Sequence, residues 1–270
     1  MTDLCIGLVG GAGRMGCALT RRITATEGCA LVAAIEQSGH AAIGRDAGTV
    51  AGIEALGVAI ADDARAMFEA SDVVIEFSSQ AATAAHASLA ADTGTAHVIG
   101  TTGLDAEQTA MVERAAESAA VVWAPNMSVG VNLLLALTEK VAGVLGDDYD
   151  IEIVEMHHRH KVDAPSGTAL GLGRAAAAGR KVDLDLVSAR GRDGMTGARR
   201  AGDIGFAVLR GGDVVGDHSV VFATEGERLE LGHKASSRDV FANGAVRAAL
   251  WTKDRAPGLY GMRQVLGLDG

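Results

Sequence analysis

The residues best suited to chemistry lie in one stretch, 155–168, which has the sequence EMHHRHKVDAPSGT. His157, His158 and His160 fall within four residues and are followed by Lys161. Because an imidazole titrates near neutral pH, one of these histidines could donate a proton to a substrate. Lys161 could supply a fixed charge for a carboxylate, or a second proton. The cluster therefore predicts an acid within a site for an anionic substrate.

Two other interpretations of this cluster are a metal site and a solvated basic surface. Imidazoles are common zinc ligands. Adjacent residues on a strand point to opposite faces, however, so His157 and His158 cannot easily bind one ion. The neighbouring cations also disfavour Zn²⁺, and we expect no metal. A solvated basic surface remains the alternative.

The residues that follow predict the start of a helix. Pro165 precedes Ser166, Gly167 and Thr168, and the free N–H groups of a helix start form an anion site together with the two hydroxyls. Gly167 would let a ligand approach the backbone. One carboxylate at this helix end and cations opposite it would suit a dicarboxylate substrate.

A second candidate site lies near the N-terminus. Residues 10–16, GGAGRMG, follow an apolar run and open a helical pattern, and Gly11, Gly13 and Gly16 satisfy GxGxxG. Glycine at these positions lets a pyrophosphate reach the N–H groups of the helix start. Glu36 lies 20 residues beyond Gly16, where a carboxylate would accept hydrogen bonds from ribose hydroxyls. The pattern predicts dinucleotide binding, with an ordinary βα turn as the alternative.

The residues beside Glu36 favour NADH over NADPH. Gln37 and Ser38 follow it, and no arginine is adjacent. A carboxylate within about 4 Å of a 2′-phosphate would repel it by roughly 4 kcal/mol per unit charge at an effective dielectric constant of 20. Arg45 is the nearest following cation that could offset this repulsion, and it is distant in sequence.

The elements that must position these residues change in character near Met127. Before it, short apolar runs alternate with helical patterns, which predicts a doubly wound parallel sheet of the Rossmann type. Loops 100–103 and 124–128 follow two of these strands. We predict a dinucleotide-binding domain of residues 1–126 plus 240–270 and an α+β domain of residues 127–239 for substrate binding and oligomerisation. The predicted strands of the first domain are 5–10, 31–36, 58–61, 72–77, 96–100 and 121–124.

The second domain is predicted to hold a helix over 131–145, a strand over 150–156 and a helix from Ser166. Three later runs, 204–209, 214–222 and 228–231, are separated by the glycine-containing turns 211–212 and 225–226 and are expected to pair antiparallel. His218 and His233 lie in this region and are predicted to be structural. A last helix over 239–251 precedes a tail predicted to be irregular.

Composition excludes several classes of protein. Lys and Arg number 24 against 34 Asp and Glu, so the net charge is −10, which argues against nucleic acid as a partner. Three cysteines, in a chain of 270 residues, predict a reducing compartment, and we expect the cytoplasm. Residues 118–138 carry no charge, but Pro125 and Asn126 lie among them, so we predict a soluble protein without a membrane partner.

The stretch Glu152–Ala169 closely resembles the signature of the 4-hydroxy-tetrahydrodipicolinate reductase (dihydrodipicolinate reductase) family. Five further segments match that family in order, so the resemblance covers essentially the whole chain. They are Gly10–Gly16, Gly100–Gly103, Ser128–Asn132, His233–Arg238 and Phe241–Ala245.

The resemblance implies a reductase that transfers hydride from NADH or NADPH to a cyclic imine of the dihydrodipicolinate type, in diaminopimelate and lysine synthesis. It implies that His157 is the acid/base residue, that Lys161 is a proton donor, and that the chain forms a homotetramer through its substrate domains. His158, Gly167 and Thr168 would bind substrate carboxylates. The implied cofactor-binding residues are Gly10, Gly11, Ala12, Gly13, Arg14, Met15, Glu36, Gly100, Thr101, Thr102, Ala124, Pro125, Asn126 and Met127.

The chain departs from the family pattern at two positions. Some members have an arginine directly after the ribose-binding glutamate and another after the fourth strand, where this chain has Gln37 and Ser79. Both differences agree with a preference for NADH. Two alternatives stay open: a related Rossmann reductase that acts on another small amino-dicarboxylate, and a protein that senses NAD(H) without chemistry.

Overall fold

A computed structural model describes residues 2–268, which divide into two compact units. The first unit comprises the residues up to Val129 together with those from Arg238 onward, and the second is Gly130–Ser237. The predicted boundaries were 126/127 and 239/240. The chain therefore leaves the first unit after its sixth strand and returns to it for its last elements.

The strands and helices are numbered here in chain order. The strands are β1 (Leu4–Val9), β2 (Cys29–Ile35), β3 (Ile60–Ala61), β4 (Val73–Glu76), β5 (Ala96–Ile99), β6 (Ala120–Trp123), β7 (Asp150–His157), β8 (Ser188–Ala189), β9 (Ile204–Arg210), β10 (Gly216–Thr224), β11 (Glu227–Ala235) and β12 (Gly258–Tyr260). The helices are α1 (Arg14–Thr24), α2 (Ala47–Val50), α3 (Ala64–Ala70), α4 (Gln80–Thr93), α5 (Ala106–Ala115), α6 (Val129–Leu145), α7 (Gly167–Arg180), α8 (Leu184–Val187), α9 (Asp239–Thr252) and α10 (Met262–Leu266).

The first unit is built on a parallel sheet with helices on both faces. The strand order is β12-β6-β5-β4-β1-β2-β3, and the neighbouring strands pair in parallel. Side chains of α1 and α9 pack on one face, and those of α3, α4 and α5 pack on the other. The strands have continuous apolar sequences because both of their faces are covered. The predicted Rossmann-type sheet is confirmed.

The C-terminal tail differs from its prediction. Residues 258–260 form β12, which pairs in parallel with β6, and α10 follows. A strand of three residues is too short for its own apolar pattern to indicate it. It forms because β6 offers a free edge at that side of the sheet.

The second unit contains a mixed sheet in the order β11-β10-β7-β9-β8. β10 pairs antiparallel with both β11 and β7, but β9 pairs in parallel with β7. The expectation that runs 204–209 and 214–222 form an antiparallel hairpin is therefore wrong. The central strand β7 pairs with β9 along one edge and with β10 along the other, so it lies between them. Sequence order alone does not determine which strands are neighbours.

Gly211 and Gly212, predicted as a hairpin turn, instead connect β9 to β10 across the end of β7. The N–H of Gly211 donates to the oxygen of His157 at 3.0 Å, and the N–H of His158 donates to the oxygen of Val214 at 2.8 Å. This connection fixes the backbone on both sides of the histidine cluster.

One face of the second sheet is covered and the other is open. Ile151 and Ile153 of β7, with Phe222 of β10, are buried against α7.

One helical stretch, Val129–Asp148, is long and apolar enough to span a membrane by length and composition alone. Leu134 and Ala142 of that stretch lie in the core of the second unit, and core helices of soluble proteins pass the same test.

Candidate active site

The glycine loop after β1 forms an anion-binding turn. Gly10 has φ +72°, a conformation that favours glycine, and Gly13 is the N-cap of α1 with no side-chain hydrogen bond. A Cβ on Gly16 would lie 2.1 Å from the oxygen of Gly10, so the loop and helix pack too closely for any other residue. The first turn of α1 therefore keeps N–H groups available to a pyrophosphate.

Glu36 lies beside this loop, directly after β2. Its Oε1 accepts a hydrogen bond from the N–H of Ala12 at 2.9 Å, and its Oε2 accepts one from the N–H of Gln37 at 3.3 Å. The carboxylate therefore joins the end of β2 to the glycine loop. A cleft of about 730 Å³ opens here, and its walls include the predicted residues Gly10, Gly13, Arg14, Met15 and Glu36.

The two other predicted cofactor loops follow β5 and β6, and their residues lie outside the walls of that cleft. Thr101 is buried, and its Oγ1 accepts the N–H of Ser78 at 3.2 Å. The side chains of Ala124 and Met127 are also buried in the core, so a ligand could meet only their main chain. The seven predicted residues of these loops are Gly100, Thr101, Thr102, Ala124, Pro125, Asn126 and Met127.

In the second unit, His157 is the last residue of β7 and is held by a carboxylate. Its Nδ1 lies 2.5 Å from Oε2 of Glu155, two residues earlier on the same face of the strand. Its Nε2 points toward Gly216, where a Cβ would lie 3.0 Å away. With Nδ1 occupied by Glu155, Nε2 is the nitrogen available to a substrate.

Glu155 itself is 1% exposed and has several polar partners. Arg210 donates to both of its oxygens, at 2.8 and 3.1 Å, and the N–H of Ser166 donates to Oε1 at 3.0 Å. Burial raises the pKa of Glu155, but the hydrogen bonds from Arg210, His157 and Ser166 outweigh it and hold the pKa below its ordinary value. The site thus contains an ionised carboxylate behind His157.

Ser166 has a different role from the one predicted. Its hydroxyl was expected to bind an anion, but Oγ accepts the N–H of Ala169 at 3.1 Å as the N-cap of α7 and lies 3.0 Å from Nε2 of His218. The His218 ring is 5.1 Å from that of His157. Burial and the charge of His157 lower the pKa of His218 to about 4, so His218 is neutral near pH 7.

The other predicted substrate residues surround the start of α7 and the loop before it. Nothing in the described residues lies within 4 Å of a Cβ placed on Gly167, so a ligand can approach its backbone. Thr168 follows it in the first turn of α7. Lys161 Nζ donates to Oδ1 of Asp163 at 2.8 Å, which lowers the pKa of Asp163. The ring of His158 lies 6.2 Å from that of His160.

The sequence analysis included Glu155 in the cluster without assigning it a role, and it missed Arg210 and the contacts of His218 with Ser166 and His157. A signal for Glu155 was present, because Ile151, Ile153 and Glu155 alternate on the buried face of β7 and a carboxylate at such a position needs partners. Arg210 lies 55 residues away and carried no local signal. Within residues 2–268, no group of three or more His, Cys, Asp or Glu side chains is placed to hold a metal ion.

Comparison with known proteins decides the family. The model of the N-terminal domain of dihydrodipicolinate reductase matches residues 4–127, and the model of its C-terminal domain matches residues 130–266. The chain belongs to the dihydrodipicolinate reductase family. The predicted family and the predicted class of enzyme, an oxidoreductase, are confirmed.

Relatives match this family member over nearly their whole length. A 4-hydroxy-tetrahydrodipicolinate reductase of Rhodopseudomonas palustris (strain BisB5) is 55% identical over 268 residues, covering 99% of both chains. One from Dinoroseobacter shibae is 56% identical over 263 residues, covering 97% of this chain and 98% of the relative. The structure of dipicolinate-bound dihydrodipicolinate reductase from Paenisporosarcina sp. TG-14 shares the fold, with a TM-score of 0.79 at 23% identity over 97% of this chain and 99% of that one.

Proposed function

We propose that this dihydrodipicolinate reductase family member reduces the cyclic imine formed from 4-hydroxy-tetrahydrodipicolinate to tetrahydrodipicolinate, in diaminopimelate and lysine biosynthesis. Relatives that are 55% and 56% identical carry that reductase name. The observation that supports the chemistry best is the Glu155–His157 pair, which leaves one imidazole nitrogen for a substrate. A bound nicotinamide supplies the hydride for the reduction.

His157 is the proposed acid. Reduction adds a hydride and a proton, so the ring atom that gains electron density must be protonated. His157 donates this proton from Nε2, because Nδ1 is held by Glu155. The carboxylate stabilises the imidazolium before transfer and keeps the ring in one orientation. Lys161 is the second proposed proton donor, and its Nζ forms an ion pair with Asp163.

The substrate carboxylates are proposed to bind around the start of α7. Gly167 and Thr168 occupy the first turn of that helix, where N–H groups face an anion and the helix dipole favours negative charge. His158 and Lys161 contribute an imidazole and an ammonium group from the preceding loop. These residues together suit a dicarboxylate, although the protein as a whole has a net charge of −10.

The first unit is proposed to bind the dinucleotide, with NADH favoured over NADPH. The N-cap at Gly13, the close packing at Gly16 and the position of Glu36 fit a pyrophosphate and a ribose. Gln37 and Ser79 belong to the walls of the same cleft and carry no charge. A 2′-phosphate there would face Glu36 with no guanidinium at position 37 or 79, and Arg14, at the start of α1, also lines this cleft.

We also propose a cytoplasmic homotetramer that assembles through the sheet of the second unit, without nucleic acid or a membrane as partner. One face of this sheet is covered by helices, whereas the other exposes apolar side chains, among them Leu209, which is 49% exposed. Val154 and Ala207, which are register partners, and Met156 beside them share that open face. A second copy of the chain would cover it, and sedimentation would report the assembly.

A coupled assay with freshly prepared substrate tests this function. We expect oxidation of NADH, a lower KM for NADH than for NADPH, and competitive inhibition by pyridine-2,6-dicarboxylate. A reductase for another amino-dicarboxylate would turn over without this inhibition, and a sensor protein would bind NADH without turnover. A lower KM for NADPH would contradict the cofactor preference alone.

A further inference from the structure

A second buried carboxylate, in the first unit, takes no part in the chemistry proposed above. Glu76 is the last residue of β4 and has no exposed surface. Its Oε1 lies 2.8 Å from Nδ1 of His86, and its Oε2 lies 2.9 Å from Nε2 of His97. Burial raises the pKa of Glu76, but the hydrogen bonds from the two imidazoles lower it to about 2. The core of this unit therefore holds an ionised carboxylate.

The surroundings of His97 determine which of its ring nitrogens donates to Glu76. The ring is fully buried, and its Nδ1 has no hydrogen-bond partner in the part of the chain that the structure describes. A proton on Nδ1 would be buried without an acceptor, so Nε2 carries the proton and donates it to Oε2 of Glu76. Oε1 is then left for His86 and for the hydroxyl of Ser78, which also donates to it.

These partners connect Glu76 to the cleft beside the glycine loop. Ser78 and His86 both belong to the cleft walls. The N–H of Ser78 donates to Oγ1 of Thr101 at 3.2 Å, and the N–H of Gly100 donates to the main-chain oxygen of Glu76 at 2.8 Å. One buried residue thus holds the loop between β4 and α4 and the loop after β5.

A role limited to packing does not explain a charge at this position. The other three residues of β4, Val73–Ile75, are apolar and fully buried. An apolar side chain would continue this pattern without needing three polar groups around it, and replacement of buried ionic groups by apolar ones is often neutral or stabilising. Two of the three polar partners, Ser78 and His86, belong to the cleft wall.

We infer that Glu76 is a positioning residue for dinucleotide binding. Through Ser78 and His86 it holds the wall of the cleft that β4 and α4 contribute, and through Ser78 it fixes Thr101 in the neighbouring loop. This inference rests on the proposed function, because it assigns the cleft to the cofactor.

The test measures the Kd of NADH by fluorescence titration in three purified variants. Glu76→Gln removes the charge, and His97→Leu removes a partner of Glu76 that does not belong to the cleft walls. Thr95→Val is the matched control, since Thr95 lies two residues before His97, is also buried, and donates to the oxygen of Phe68 instead. Thermal unfolding of each variant is measured in parallel.

We expect Glu76→Gln to raise the Kd of NADH about tenfold, near the lower end for hydrogen bonds to a charged group, and His97→Leu to raise it about threefold, in the range of one ordinary hydrogen bond. The kcat at saturating NADH should stay within about twofold of wild type, because the proton donor is untouched. Thr95→Val should lower Tm and leave the Kd unchanged. If Glu76→Gln does not fold, the Kd of NADH in His97→Leu still tests the inference.

An NADH Kd within about twofold of wild type in both test variants would overturn the inference. So would an equal rise in Thr95→Val, because the effect would then follow stability alone. Failure of the proposed function gives a different result, in which the wild-type chain binds NADH but reduces no substrate. A wild-type chain that binds no nicotinamide dinucleotide would overturn both.

Discussion

Each unit of this protein contains a buried carboxylate at or near the end of a central strand, and each carboxylate contacts an imidazole. Glu155, on β7, is held by Arg210, His157 and a main-chain N–H. Glu76, on β4, is held by two imidazoles and a hydroxyl. The two clusters differ in their permanent cation, which only the Glu155 cluster has among residues 2–268.

This difference indicates what each cluster can do. Because Arg210 contributes a guanidinium that donates to both oxygens of Glu155, the carboxylate has a cationic partner besides His157. The cluster can therefore tolerate a change of protonation on His157, as an acid requires. Around Glu76 the donors are two imidazoles and a hydroxyl, and Nε2 of His97 is the nitrogen that donates to the carboxylate. That arrangement suits a group that holds loops in place.

The variant Glu155→Gln should have the largest effect on catalysis of the changes to these two carboxylates. Loss of the carboxylate charge leaves the imidazolium of His157 without its stabilising partner, and we expect kcat to fall between about tenfold and a hundredfold. The Kd of NADH should stay within about twofold of wild type, since that site lies on other residues. Steady-state kinetics and NADH titration measure the two effects.

The matched variant in the other unit is Glu76→Gln, for which we expect the reverse pattern, a weaker NADH complex with little change in kcat. Equal losses of kcat in the two variants would show that the clusters do not differ in role. Arg210→Lys is a control variant. It keeps a cation beside Glu155, so that the protein should still fold, but it removes the guanidinium that donates to both oxygens of the carboxylate.

A smaller effect concerns stability and pH. The pKa of His218 is about 4 in the folded chain against an ordinary 6.5, so protons bind the unfolded state more tightly. The free energy of unfolding should fall as the pH drops from about 6.5 to about 4, and His218 should have no such effect above 6.5. Protonation of Glu76 should lower the free energy of unfolding in a more acidic interval, between its ordinary pKa of 4.5 and its pKa of about 2 in the folded chain.

Urea unfolding at pH 7, 5.5 and 4.5 checks this prediction in the wild type and in His218→Asn. The variant should lose less stability than the wild type across this interval, because it lacks the group that gains the proton. Identical slopes would mean that His218 is not held neutral in the folded protein.

Much of the fold was predictable from local sequence. The apolar runs of the first unit indicated covered parallel strands, and Gly10–Gly16 lies where a strand passes into a helix, as the motif requires. What failed was the choice of neighbours in the second unit, where β7 separates β9 from β10. Apolar patterns indicate the type of an element, whereas strand order depends on contacts between distant segments.

The candidate site was predictable to the same extent. His157, Lys161 and Gly167 lie within one short stretch, so their residue types could be judged together. Arg210 lies on β9 and His218 on β10, and only the order of the strands brings them to His157. Glu76 was not identified for another reason. It follows three apolar residues, and the sequence analysis assigned it to the strand without a separate role.

The kcat of His157→Gln shows whether His157 donates the proton. Glutamine keeps a polar side chain of similar reach but cannot act as an acid. We expect kcat to fall by about a hundredfold or more, while the Kd of NADH and the inhibition constant of pyridine-2,6-dicarboxylate change by less than about threefold. A kcat within about threefold of wild type, measured under the same conditions, would mean that His157 is not the acid.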